Sequence, residues 1–207
     1  MLIYFPNCRI LPVILLILIS PFQGFAQDSF EKLKEKFQDG QVLEAQMSHT
    51  FVDAYTGDII ESSGNIWIGE NQYKIEVDDQ VVVVDGDISR VYNKRQNKVI
   101  ISEYIPEDDD FAPSRFLAGD DHTYEIQETD SEIAATQLTL SSTDPFDVFS
   151  SVEIHLTQNL IPVKITAIDQ TDNRFTTAFY EARFIAPTDS TFSFPHPDDA
   201  DLIDLRQ

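Results

Sequence analysis

From Val42 onward apolar and polar residues change places one for one. Leu43, Ala45, Met47, His49 and Phe51 alternate with Glu44, Gln46, Ser48 and Thr50. A period of two puts each set on its own face of an extended strand, one dry and one wet. Comparable segments recur about every ten residues, at 42–55, 59–69, 72–77, 81–85, 89–92, 98–104, 122–128, 133–141, 151–157, 162–169, 174–184 and 190–194. Turn signals such as Thr56-Gly57-Asp58, Asp78-Asp79 and Asp85-Gly86-Asp87 separate most of them. No long helical pattern intervenes, which predicts an antiparallel meander and excludes crossover connections and a parallel sheet. A meander of about 11 or 12 strands cannot lie flat; it curls into a barrel or partial barrel, or splits into a sandwich.

Two segments break the pattern. Asp28 and Ser29 lead into Phe30, Leu33, Lys34 and Phe37, an apolar stripe at helical spacing that Gly40 ends. Between 106 and 119, Pro113-Ser114-Arg115-Phe116-Leu117 predicts a short helix bringing apolar residues to the sheet. A barrel of this strand number is wider than its own side chains fill, so it holds a ligand or is plugged by other parts of the chain. These two segments are the plugs available; alternatively they cap an ordinary core.

The first 26 residues carry Arg9 as their only charge, then the apolar run Ile10 to Ile19 and a small-residue end, Gly24-Phe25-Ala26. They read as a cleaved signal peptide, 1–26, leaving a single domain at 27–207. The apolar run is about half the ~20 residues that a membrane-spanning helix needs. Cys8 precedes that run, whereas a lipid-modified cysteine would follow it, so no acyl anchor is expected there; as the sole cysteine it offers no disulfide framework. The 36 acidic residues against 14 basic ones give a net charge of −22, which disfavours nucleic acid and anionic lipid surfaces. The four histidines lie in separate segments, and nucleophile-elbow, zinc-helix and phosphate-loop motifs are absent. The acidic runs 107–110, 120–121 and 198–201 lack the calcium-loop pattern and read as solvated loops. No catalytic residue, metal or cofactor is expected.

Three stretches, in order, resemble the LolA-type outer-membrane lipoprotein carrier family. Gly64-Asn65-Ile66-Trp67-Ile68 leads into Tyr73-Lys74-Ile75; Val84-Asp85-Gly86-Asp87 leads through Val91-Tyr92-Asn93 to the 113–117 segment; and Phe192-Ser193-Phe194-Pro195 runs on to Asp201-Leu202-Ile203. The resemblance implies an incomplete antiparallel β-barrel, closed by an N-terminal helix and a short lid helix, that shelters lipoprotein acyl chains in the periplasm. It places Ile66, Ile68, Tyr73, Ile75 and Val77 at the cavity, and Phe116 and Leu117 on the lid, which Phe30, Leu33 and Phe37 of the first helix join. The implied partners are lipoproteins, an inner-membrane ABC-type extraction complex and an outer-membrane acceptor, with the carrier itself a monomer. An exported sensor or carrier of another lipid on the same fold is the nearest alternative. A secreted hydrolase acting through carboxylate pairs is a more distant one.

One departure stands out. The family often sets a basic residue in the turn after the tryptophan strand, where it helps hold the lid; here that turn is Gly69-Glu70-Asn71. An acidic side chain cannot donate the same hydrogen bonds. Lys74 and Arg115 are the basic residues nearest to hand as substitutes.

Overall fold

The computed structural model describes residues 28–119 and 123–206. The predicted signal peptide lies outside these residues. One α-helix, α1 (Asp28–Gln38), precedes twelve strands: β1 (Val42–Val52), β2 (Ile59–Ile68), β3 (Gln72–Val77), β4 (Gln80–Asp85), β5 (Ile88–Asn93), β6 (Lys98–Glu103), β7 (Glu125–Asp130), β8 (Thr136–Ser141), β9 (Phe149–Leu156), β10 (Pro162–Asp169), β11 (Arg174–Ile185) and β12 (Asp201–Asp204). They form one sheet in the order β12-β6-β5-β4-β3-β2-β1-β11-β10-β9-β8-β7. β12 and β7 are its ends, so the sheet is not closed.

Among the described residues there are twelve strands, and the strand expectations need three corrections. The segment 190–194 is turn and loop, not a strand. The strand expected at 122–128 begins later, at Glu125; His122 lies outside the described residues. A parallel pair does occur, because β12 runs parallel to β6 from Asp201↔Lys98 to Asp204↔Ile101. The cause is tertiary: the chain after β11 travels back across the sheet and meets the free edge of β6 in the same direction.

Curling follows from the core. Ile75 on β3 and Leu138 on β8 belong to one buried cluster, yet their strands stand six places apart in the sheet. Six inter-strand spacings would separate them by about 29 Å on a flat sheet. Wrapped around α1 and the 3-10 helix Ala112–Ala118, they share it. Gly64 marks a tight point of the curl: a Cβ there would lie 1.9 Å from the Glu76 carbonyl oxygen. That close approach gives the glycine of the Gly-x-x-Trp stretch its physical reason.

The outer face has a structure of its own. Arg183, Glu44, Trp67 and Lys74 stand at directly opposed positions on β11, β1, β2 and β3. Arg183 meets Glu44 at 2.5 Å, Trp67 Nε1 donates to Glu44 Oε1 at 3.1 Å, and Lys74 lies over the indole at 5.0 Å while pairing with Glu76 at 2.9 Å. Further along, Val81, Val83, Tyr92 and Val99 make a second small core, covered by Phe194 and Ala200 of the returning C-terminal segment.

Candidate functional site

Side chains on the inner face follow from register. Ile66 is opposite Ile75, Ile68 opposite Tyr73, and Gly64 opposite Val77, so the five residues predicted for the cavity share one apolar face of β2 and β3. Ala45 and Leu43 of β1 continue it. On the other side an aromatic row crosses the interior: Phe51 to Phe175 at 5.0 Å, Phe175 to Phe149 at 5.6 Å, and Phe149 to Phe116 at 5.9 Å between ring centroids.

Two segments of the chain itself fill the space between. Phe30, Leu33 and Phe37 of α1 are wholly buried, as the stripe at i, i+3 and i+7 requires. The Ser29 amide and hydroxyl donate to the Glu128 carboxylate of β7 at 3.1 and 2.5 Å, tying the helix start to one sheet end and setting a negative charge against its dipole. The second segment, 105–119, contains the 3-10 helix that buries Phe116 and Leu117. It ends at Gly119, whose positive φ of 101° suits glycine and whose missing Cβ leaves room for the Lys34 stem of α1.

What holds this segment was not legible beforehand. The Tyr73 hydroxyl, on the inner face, donates to the Asp109 carboxylate, and the Phe111 amide donates to the other oxygen of Asp109 at 2.8 Å. Burial, then the nearby Asp109 charge, pushes the Tyr73 phenol far above its ordinary range, so it remains a donor. Tyr104 stands edge-on to Tyr73 at 6.2 Å with the Arg115 guanidinium over its ring at 5.2 Å. The expectation that 107–110 is a solvated loop therefore fails at Asp109, which faces inward. Lys74 is no substitute latch, since it lies on the outer face beside Trp67. Arg115 belongs to the covering segment.

Clefts flank the segment on three sides. One of about 390 Å³ lies between it and the inner face of β3 to β6, lined by Tyr73, Val82, Val91, Tyr104 and Phe111. A smaller one, of about 120 Å³, is lined by Phe116, Tyr124, Val148 and Phe149 on the other side. The third, of about 620 Å³, opens at the β3–β4 and β5–β6 turns beside β1 and β2, with His49, Phe51, Val77 and Phe111 in its wall. Sequence reasoning missed His49. It is buried, and burial lowers its pKa to about 4, so the ring is neutral at neutral pH. Among the described residues no three His, Cys, Asp or Glu side chains converge as metal ligands, and no helix is long and apolar enough to cross a membrane.

The described residues thus form an open sheet curled around an apolar interior, filled by two segments of the chain that are flanked by clefts. Residues 41–195 match the family model described as outer membrane lipoprotein carrier protein LolA, and the chain belongs to that family. No curated protein matches it in sequence. Among solved structures, an uncharacterized conserved protein from Thermus thermophilus shares the fold at a TM-score of 0.54 and 11% identity, over 86% of this chain and 98% of that one. A LolA superfamily protein from Nitrosomonas europaea is similar at 11% identity and a TM-score of 0.45, over 83% of this chain and 98% of that one. A putative outer membrane lipoprotein-sorting protein domain from Vibrio parahaemolyticus gives 10% identity and a TM-score of 0.45, over 81% and 95% of the two chains.

Proposed function

We propose that this protein is a periplasmic carrier that shelters the acyl chains of lipoproteins on the inner face of its sheet. In this reading it takes cargo from an ABC-type extraction complex in the inner membrane and passes it to an acceptor at the outer membrane. The observation that carries the reading is the double cover of the apolar face: Ile66, Ile68, Tyr73, Ile75 and Val77 lie under α1 and under a segment bordered by clefts. Cargo displaces Phe116 and Leu117, with α1 yielding next, and takes over their contacts.

Magnitudes favour exchange over simple filling. Three long acyl chains represent roughly 35 kcal/mol of methylene burial, at about 0.8 kcal/mol per methylene. Non-covalent affinities stop near about 20 kcal/mol. A carrier therefore shelters part of that surface, exposes some of its own cover in doing so, and releases cargo only by direct docking. The −22 charge keeps it from settling on anionic membranes between the two.

The test is photocrosslinking in cells. Benzoylphenylalanine in place of Tyr73 should capture lipoprotein on irradiation, whereas the same probe at Tyr180, exposed on the outer face, should not. Equal capture at both positions, or none at position 73, would sink the reading.

A further inference from the structure

The neutral ring of His49 is incompletely paired. Its Nδ1 meets Thr177 Oγ1 at 2.9 Å, while Nε2 is buried without a partner. Only 4% of the residue is exposed. Buried ring nitrogens are nearly always hydrogen-bonded, so one that is not points to a group that arrives later. Its cover is also particular. The Phe111 ring lies 4.7 Å from the imidazole at a tilt of 43°, and Phe111 belongs to the segment that the proposed cargo displaces. His49 and Phe111 both stand in the wall of the cleft of about 620 Å³.

That cleft grades from apolar to polar. Phe51, Val77 and Ile60 form apolar wall, and the rim carries Asp78, Asp79, Asp110 and Arg95. Arg95 is already engaged by Asp79 at 2.5 Å, so the rim is net acidic and unfavourable to an anionic headgroup. The ligand that suits such a gradient has an alkyl chain, then a neutral hydrogen-bond acceptor, and no negative charge close by. The linkage of an acyl chain to glycerol has this form.

We propose that His49 is the polar anchor of the interior: with Thr177 donating to Nδ1, its Nε2–H donates to the ester carbonyl of a bound neutral acyl glyceride. The acidic rim turns away phosphate headgroups carrying the same esters. This deepens the carrier reading and rests on it. It makes His49 a specificity residue, distinct from the apolar wall that supplies affinity.

Calorimetric titration of the purified protein with dioctanoylglycerol, its dioctyl diether analogue and dioctanoyl phosphatidylglycerol tests it. The wild type should bind the diester about tenfold more tightly than the diether, the worth of one good hydrogen bond, and the anionic lipid more weakly than the diester at low salt. His49→Phe keeps the packing and should bind diester and diether alike, at the wild-type diether affinity. His49→Gln, which restores an N–H, should recover part of the preference and serves if the first variant folds poorly. Equal diester and diether affinities in the wild type, a preference that survives in His49→Phe, or phosphatidylglycerol binding as tight as the diester would overturn the proposal and leave the carrier reading standing. Failure of all three lipids to bind would bring down both.

Discussion

The two wings of the sheet are packed in opposite senses. On the β8 to β10 side the inner face is the core: Leu138, Leu140, Val152, Ile154, Leu156, Ile165 and Ala167 are all at 0% exposure. On the β4 to β6 side the inner face is only half covered at Val82, Val91 and Ile100, and borders a cleft. That wing buries its outer face instead, with Val81, Val83, Tyr92 and Val99 under Phe194 and Ala200. Its edge is closed by β12, which limits pairing with other chains. A sheet with a loosely covered face still needs burial somewhere, and the C-terminal segment supplies it on the reverse side. One wing is thus packed as a scaffold, and the other is held in shape from behind while its inner face borders a cleft.

The comparison is most easily broken by cavity mutations. Leu138→Ala should cost about 3 kcal/mol in urea unfolding, whereas Val91→Ala, beside an existing cleft, should cost under about 1 kcal/mol. Equal losses would mean the wings are packed alike. His49, on β1 between the two wings in the strand order, gives a comparable effect through pH. Burial lowers the folded-state pKa of His49 from 6.5 to about 4, so the unfolded chain takes up the proton first. Stability attributable to this ring is present above about pH 6.5 and is lost as pH falls towards 4, by roughly 3 kcal/mol in all. The difference between wild type and His49→Phe, followed by thermal unfolding from about pH 7 to about pH 4, should trace that loss; a constant difference would place the ring in water. A smaller effect sharpens the picture. Tyr73→Phe removes the hydroxyl that holds Asp109 and should speed amide exchange within 105–119 about tenfold, with exchange in β8 to β10 unchanged. Uniform acceleration would show that the covering segment is part of the scaffold.

Much of this was legible in the chain. The one-for-one alternation at Leu43 to Phe51 and the stripe Phe30, Leu33, Phe37 each announce their element, because period alone decides which side chains share a face. β12 was not legible. Asp201-Leu202-Ile203-Asp204 is four residues long and is a strand only because the edge of β6 offers it partners, whereas Ser190 to Phe194 pairs with no strand and Phe194 packs on the outer face instead. Asp109 was hidden for a related reason. Within an acidic run every carboxylate reads as solvated, and the one that turns inward does so to meet a tyrosine 36 residues away.

The residue order by itself determined a large β-sheet with one amphipathic helix ahead of it, an acidic surface, and the resemblance that led to the family. These are properties of neighbours in sequence, set by periodicity and charge. Only the tertiary structure decided which wing is packed from inside and which from behind, what latches the covering segment, and that a histidine in the middle of a strand keeps one nitrogen unpaired. Each of those depends on groups brought together from distant parts of the chain, and no local pattern encodes their meeting.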